Sequence, residues 1–146
     1  MRKSERFLDT NVFLRHLLGD DPERSRGATA CFHAVEQGVA RARTSDTVVF
    51  GMVFALERGH RRSKAEIRSA LLPLLELPGI VLAGKRKFRE VFRLYVDKNI
   101  PFADAHHAVM MRKLALSEVV SFDRDFNRIE TVQRVEPDSE GMLGKR

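Results

Sequence analysis

At 146 residues the chain has the length of one compact domain with a single sizeable core. Its 32% charged and 43% hydrophobic residues are the balance of a soluble globular protein, which excludes a disordered or membrane-embedded class. Lys and Arg outnumber Asp and Glu by 26 to 20, a net charge of +6. Such a surface attracts polyanions through its long-range field and counterion release, although a solvated arginine-rich face has the same composition.

The single cysteine, Cys31, excludes an internal disulfide and a multi-cysteine zinc site. It suits a reducing cytoplasm and is expected to be a small buried helix residue. Residues 1–6 lead into Phe7-Leu8-Asp9 without a signal-peptide core, and no apolar run approaches the ~18 residues of a membrane span. The expected location is cytoplasmic.

The predicted elements begin with a short apolar run at Phe7-Leu8 that ends on Asp9-Thr10-Asn11. Val12-Phe13-Leu14 and Leu17-Leu18 then give a helix closed by Gly19. Asp21-Pro22 starts the next one as N-cap and first helical residue. Its apolar stripe is Ala28, Cys31, Phe32 and Val35, and it stops at Gly38. Val39 to Thr44 reads as a short strand. Ser45 or Asp46 caps a helix through Val48, Val49, Met52, Val53 and Leu56. Ser63 and Glu66 form a capping-box pattern ahead of Ile67, Ala70, Leu71 and Leu74. Pro73 is expected to kink or end that helix early.

Gly79 to Ala83 reads as a strand. Phe88, Val91, Phe92 and Tyr95 follow at helical spacing, which favours core packing over base stacking. Asp104 opens a helix through Leu114, Glu118 to Phe122 is the clearest strand, and Thr131 to Val135 reads as an edge strand. Residues 1–137 form one domain in this reading, and 138–146 a flexible polar tail. Strands alternating with helices predict an α/β fold with a mainly parallel sheet, whose C-terminal strand edge is where such folds bind ligands.

That geometry gives three acidic positions a meaning. Asp9 and Asp123 each follow a strand, and Asp104 stands at a helix start. A sheet with the two strands adjacent would bring Asp9 and Asp123 out side by side, and one acidic cleft is expected to hold Asp9, Asp104 and Asp123. Converging carboxylates repel and resist desolvation unless a cation joins them. Mg²⁺ and Mn²⁺ take oxygen ligands and, with a phosphodiester bound, activate the attacking water. Each aspartate alone has a structural explanation as a turn or N-cap residue, and Asp125 could simply start a short turn. Adjacent His106 and His107 point about 100° apart on a helix, so they are expected to be solvated rather than to chelate one ion.

Phe7-Leu8-Asp9-Thr10-Asn11-Val12-Phe13-Leu14-Arg15 resembles the opening motif of PIN domains, especially bacterial VapC toxins. Phe102-Ala103-Asp104-Ala105-His106-His107-Ala108 and Val120-Ser121-Phe122-Asp123-Arg124-Asp125-Phe126 resemble two later acidic motifs of that family. The three occur in order between Phe7 and Pro137. The resemblance implies a three-layer α/β/α domain that cleaves RNA with Mg²⁺ or Mn²⁺. It makes Asp9, Asp104 and Asp123 catalytic metal ligands, with Asp125 an accessory. Asn11 and Ser121 would orient those carboxylates by hydrogen bonding. A homodimer and a small antitoxin that blocks the site are also implied. Arg86 and Lys87, in the basic run from Lys85 to Arg89, are candidate RNA contacts, as is the run from Arg58 to Lys64.

Gly51 departs from the family pattern, which places a Glu there. Glu57 lies six positions later, about 600° round a helix, and cannot substitute by rotation. A mid-helix Gly costs about 1 kcal/mol relative to Ala, and no turn or cap explains it. The readings that follow are a weakened nuclease, a different fourth ligand such as Asp46, or a substitution selected or engineered against a harmful activity. A catalytically silent PIN domain that binds RNA or regulates with an antitoxin is the alternative. A haloacid-dehalogenase-type phosphatase is disfavoured by Asn11, because that class places a second Asp there.

Overall fold

The strands of this protein are short and its helices carry the core. The computed structural model describes residues 5–144, and the chain divides into two compact units, one ending at Arg86 and the other beginning at Lys87. In the first unit, β1 (Glu5–Phe7), β2 (Arg41–Arg43) and β3 (Ile80–Val81) form a parallel sheet in the order β1-β2-β3. Phe7 is in register with Arg43, and Arg43 with Val81. Hydrogen bonds continue past the strand ends. Leu8 N–H donates to the Arg43 carbonyl at 2.8 Å and Thr44 N–H to Val81 at 2.9 Å. The buried Thr44 hydroxyl then donates to the Leu8 carbonyl at 3.2 Å. These bonds fix the backbone up to Asp9.

Asp9 is the N-cap of α1 (Thr10–Leu18), and Gly19 closes that helix in the left-handed region at φ 62°. Asp21 caps α2 (Pro22–Glu36) by accepting from Arg24 N–H, with Pro22 at the start as expected. Phe13 and Phe32 meet edge to face at 5.1 Å between these helices. Cys31, expected inside, is exposed. The buried face of α2 is Ala28, Phe32 and Val35, and position 31 falls just off it.

Ser45 caps α3 (Asp46–Phe54), whose Val48, Val49, Met52 and Val53 are buried. The helix runs on into a π turn, Ala55–Gly59, that buries Leu56. Ser63 and Glu66 close a reciprocal capping box on α4 (Lys64–Leu75). Pro73 neither breaks this helix nor ends it at once. It sits in the last turn, where only one intrahelical bond is lost, and Leu71 and Leu75 on either side are both buried. Ser63→Ala should lower the unfolding free energy by about 1 kcal/mol in urea titration, by unpairing the first turn of α4.

In the second unit, α5 (Lys87–Asp97) and α6 (Phe102–Lys113) pack through an aromatic cluster. Phe88, Phe92 and Tyr95 are fully buried, as their spacing predicts, and Phe102 meets Phe92 at 5.1 Å and Tyr95 at 5.3 Å. His106 corrects the expectation of two solvated histidines: it is buried, 6.0 Å from the Phe88 ring, whereas His107 is exposed. The strands β4 (Glu118–Val120) and β5 (Gln133–Val135) pair in parallel, Val120 opposite Val135. Thus β1 and β4 stand in different sheets among the described residues. Where a flexible tail is expected, Asp138 caps a short helix, α7 (Ser139–Leu143), accepting from Gly141 N–H.

Candidate metal centre

The chain leaves β4 through Ser121 and reverses at Asp123. Three bonds hold this exit: Ser121 N–H donates to the Val135 carbonyl at 3.2 Å, Arg134 Nη1 donates to the Ser121 carbonyl at 2.9 Å, and Asp123 N–H donates to Ser121 Oγ at 2.9 Å. Asp123 then caps a 3₁₀ turn over Arg124–Arg128, its Oδ1 accepting from Asp125 N–H at 2.9 Å. The turn is anchored by buried Phe126 and presents Asp123 and Asp125 together.

Asp104 reaches the same place from the first turn of α6. Pro101 precedes that helix and offers no side-chain cap, so Asp104 is an inward-facing first-turn residue rather than the cap itself. It is 9% exposed, and Oδ2 is buried with no hydrogen-bond partner. One carboxylate oxygen from each of Asp104, Asp123 and Asp125 lies within 4.8 Å of the others.

The electrostatics follow from this crowding. Burial, a hydrogen bond with Asp123 and the charges of Asp123 and Asp125 push the Asp104 carboxyl up to about 7. The same hydrogen bond, with the Asp125 backbone N–H, holds Asp123 below its ordinary value. Without a cation, therefore, the pair retains a proton near neutral pH. An orphaned buried oxygen beside two further carboxylates is a donor set that fits a hard divalent ion at roughly 2.1 Å. Asp104, Asp123 and Asp125 would hold it.

Of the residues singled out in the sequence, Asp104, Asp123 and Asp125 come together. Ser121 stands beside them, acting on the Asp123 backbone. Asp9 belongs to the first unit, exposed at the end of β1, its Oδ1 accepting from Thr10 N–H at 2.8 Å. Asn11 is exposed in the first turn of α1. Gly51 acquires a reason that sequence reading lacked. A Cβ built there would lie 3.2 Å from Thr10 Oγ1 and 3.4 Å from its Cγ2, so α1 and α3 meet at this glycine. Thr10 and Arg134 were missed, and neither carries a local signal, since each matters through a contact distant in sequence.

Residues 6–132 match the PIN domain family. The chain is also 29% identical over 124 residues to a VapC ribonuclease of Aquifex aeolicus (strain VF5), across 85% of this chain and 91% of that protein. The motifs around Asp9, Asp104 and Asp123 all lie within the matched span, and the chain belongs to the PIN domain family, with its three-layer α/β/α fold and mainly parallel sheet.

Proposed function

We propose that this protein is a Mg²⁺- or Mn²⁺-dependent endoribonuclease of the VapC toxin type, weakened by Gly51. The observation that carries the reading is the buried, partnerless Asp104 oxygen inside a three-carboxylate cluster. A divalent ion there supplies charge neutralisation for a phosphodiester and a more acidic water. The residues do the rest. Asp104 offers a desolvated oxygen that gains more from a cation than from water. Asp123 is pinned through its backbone by Ser121 and stays ionised. Asp125 is drawn to Arg128 at 3.9 Å across the turn, which leaves it the looser third partner. Asp9 keeps the role its motif implies, and Asp9→Asn tests that role independently. The family resemblance adds a small antitoxin protein, a homodimer and a cytoplasmic setting.

The Thr10–Gly51 contact favours a second reading, a silent PIN domain that binds RNA without cutting it. Side-by-side assays separate the two. Cleavage of single-stranded RNA with Mn²⁺, abolished by EDTA, supports the nuclease. RNA binding that persists in EDTA with no cleavage under any metal supports the silent domain.

RNA binding also has a salt signature. In the basic run from Lys85, the first lysine serves the fold: its Nζ donates to the carbonyls of Leu77 and Ile80 at 2.8 and 2.9 Å, and burial lowers its pKa. Arg86 is exposed and Lys87 stands over the Phe88 ring at 5.2 Å, and these two are the proposed phosphate contacts. Replacing both by Ala should reduce the slope of log affinity against log salt by about 1.4 to 2. An unchanged slope returns them to a solvated face.

A further inference from the structure

The first unit carries an exposed aromatic–cationic platform at the end of α3. Phe54, the last residue of that helix, is 63% exposed, an unusual state for a phenylalanine on a helix whose other face is fully buried. The Arg58 guanidinium stands over its ring at 5.6 Å. The backbone around this pair departs from a regular helix. The helix widens into the π turn of Ala55–Gly59, His60 N–H donates to the Ala55 carbonyl, and Arg62 N–H donates to Leu56 at 2.9 Å. Arg61 is held in the left-handed region at φ 50°, which costs a non-glycine residue about 1 kcal/mol or more. π turns concentrate at functional positions.

Charge selects the partner. Arg58, Arg61, Arg62 and Lys64 lie within seven residues of the chain, with exposed His60 among them. Glu57 and Glu66 are the acidic residues from Phe54 to Glu66, and Glu66 is engaged by the capping box and lies 3.7 Å from Arg62. An exposed ring under one arginine, followed in the chain by a run of cations, suits an unpaired nucleobase and its flanking phosphates: every base has a face that stacks, and arginine adds a cation–π contact. Phe54 follows Gly51 by one turn of α3, a rise of about 4.5 Å, and Gly51 packs on Thr10, which adjoins Asp9.

We infer that Phe54 and Arg58 form a stacking site for an unpaired base of a single-stranded RNA. This inference deepens the nuclease reading and rests on it for the identity of the ligand. The platform selects for single strands, because a paired base keeps its faces inside the duplex.

The test is fluorescence anisotropy of the full-length protein in EDTA, with a short labelled single-stranded RNA and the same sequence as a duplex. Phe54→Ala should weaken single-strand binding between about fivefold and about hundredfold, and Phe54→Trp should preserve it. Arg58→Ala should weaken it and lower the salt slope by about one. Met142→Ala, which removes a side chain of similar exposure at 71%, should change nothing. Thermal unfolding of each variant checks that the fold is intact. Wild-type affinity in Phe54→Ala and Arg58→Ala overturns the platform. So does a change from dimer to monomer in sedimentation with RNA affinity retained, which would make Phe54 a contact between copies of this chain. Cleavage assays with Mn²⁺ keep the two ideas apart: cleavage unaffected by Phe54→Ala removes the platform alone, whereas platform-dependent binding without any cleavage removes the nuclease alone.

Discussion

Asp104→Asn should abolish metal-dependent RNA cleavage and at the same time make the metal-free protein more stable at pH 8. Both effects come from one oxygen. In the folded chain the Asp104 carboxyl is raised from 3.8 to about 7, first by burial and then by Asp123 and Asp125. Between about pH 4 and 7 the folded state keeps a proton that the unfolded state has lost, so stability falls as pH rises through that window. The contribution is fully present below the unfolded value and gone above the folded one. At pH 8 the wild type therefore carries a buried charge that the amide does not. The amide fills the same space and donates to Asp123. The gain should be on the order of 3 kcal/mol at pH 8 and should vanish near pH 4. Saturating Mn²⁺ should reverse the order, because only the wild type binds it and ligand binding stabilises by linkage. Urea titrations at both pH values, with and without Mn²⁺, measure all of this. A variant that is less stable than wild type at pH 8 without metal would mean that Asp104 is a structural carboxylate.

Gly51→Glu should strengthen divalent-metal binding and raise cleavage about 10- to 100-fold, the range over which groups supporting a metal site act. A Cβ at 51 meets the side chain of Thr10, the residue after Asp9, to which the family motif gives a metal-site role. At 3.2 Å that contact is tight, so Thr10 must yield by a few tenths of an ångström. Helix propensity works the other way, favouring almost any side chain over Gly by up to about 1 kcal/mol. Three variants separate these effects. Gly51→Ala reports the Thr10 contact and propensity alone. Gly51→Gln adds the size of the side chain, and Gly51→Glu adds its charge. Without metal, Glu should be less stable than Gln, since like charges repel. With Mn²⁺ the order should invert, and only Glu should gain activity. If Gln and Glu respond alike to Mn²⁺, position 51 does not face the cation, and Gly51 is there for helix packing.

Much of this architecture is written locally. Asp21-Pro22, Gly19 and the Ser63–Glu66 pair declare their helix ends because capping is chemistry between neighbours in the chain. The acidic residues were legible for a similar reason, each standing where a strand or helix begins or ends. What stayed hidden depends on partners far away in sequence. Cys31 and His106 exchange their expected environments because burial is decided by which helix packs on which face. Pro73 is tolerated because the core holds Leu71 and Leu75 on both sides of it. No pattern around Gly51 announces Thr10, and a glycine that looked like a vacant catalytic position proved also to be a point of helix contact. Asp125 reads as an accessory because a D-x-D turn is common and its bond to Asp123 is local, whereas the approach of both to Asp104 on α6 is tertiary.

Asp104, Asp123 and Asp125 should gather round one divalent ion. Anomalous diffraction from crystals grown with Mn²⁺ at pH 8 tests it most directly, because the manganese signal locates the ion and its ligands without reference to activity. The expected result is a single strong peak at roughly 2.1 Å from carboxylate oxygens of Asp104 and Asp123, with Asp125 bound directly or through water. No peak at these residues under saturating Mn²⁺, or a peak only elsewhere on the protein, would contradict it.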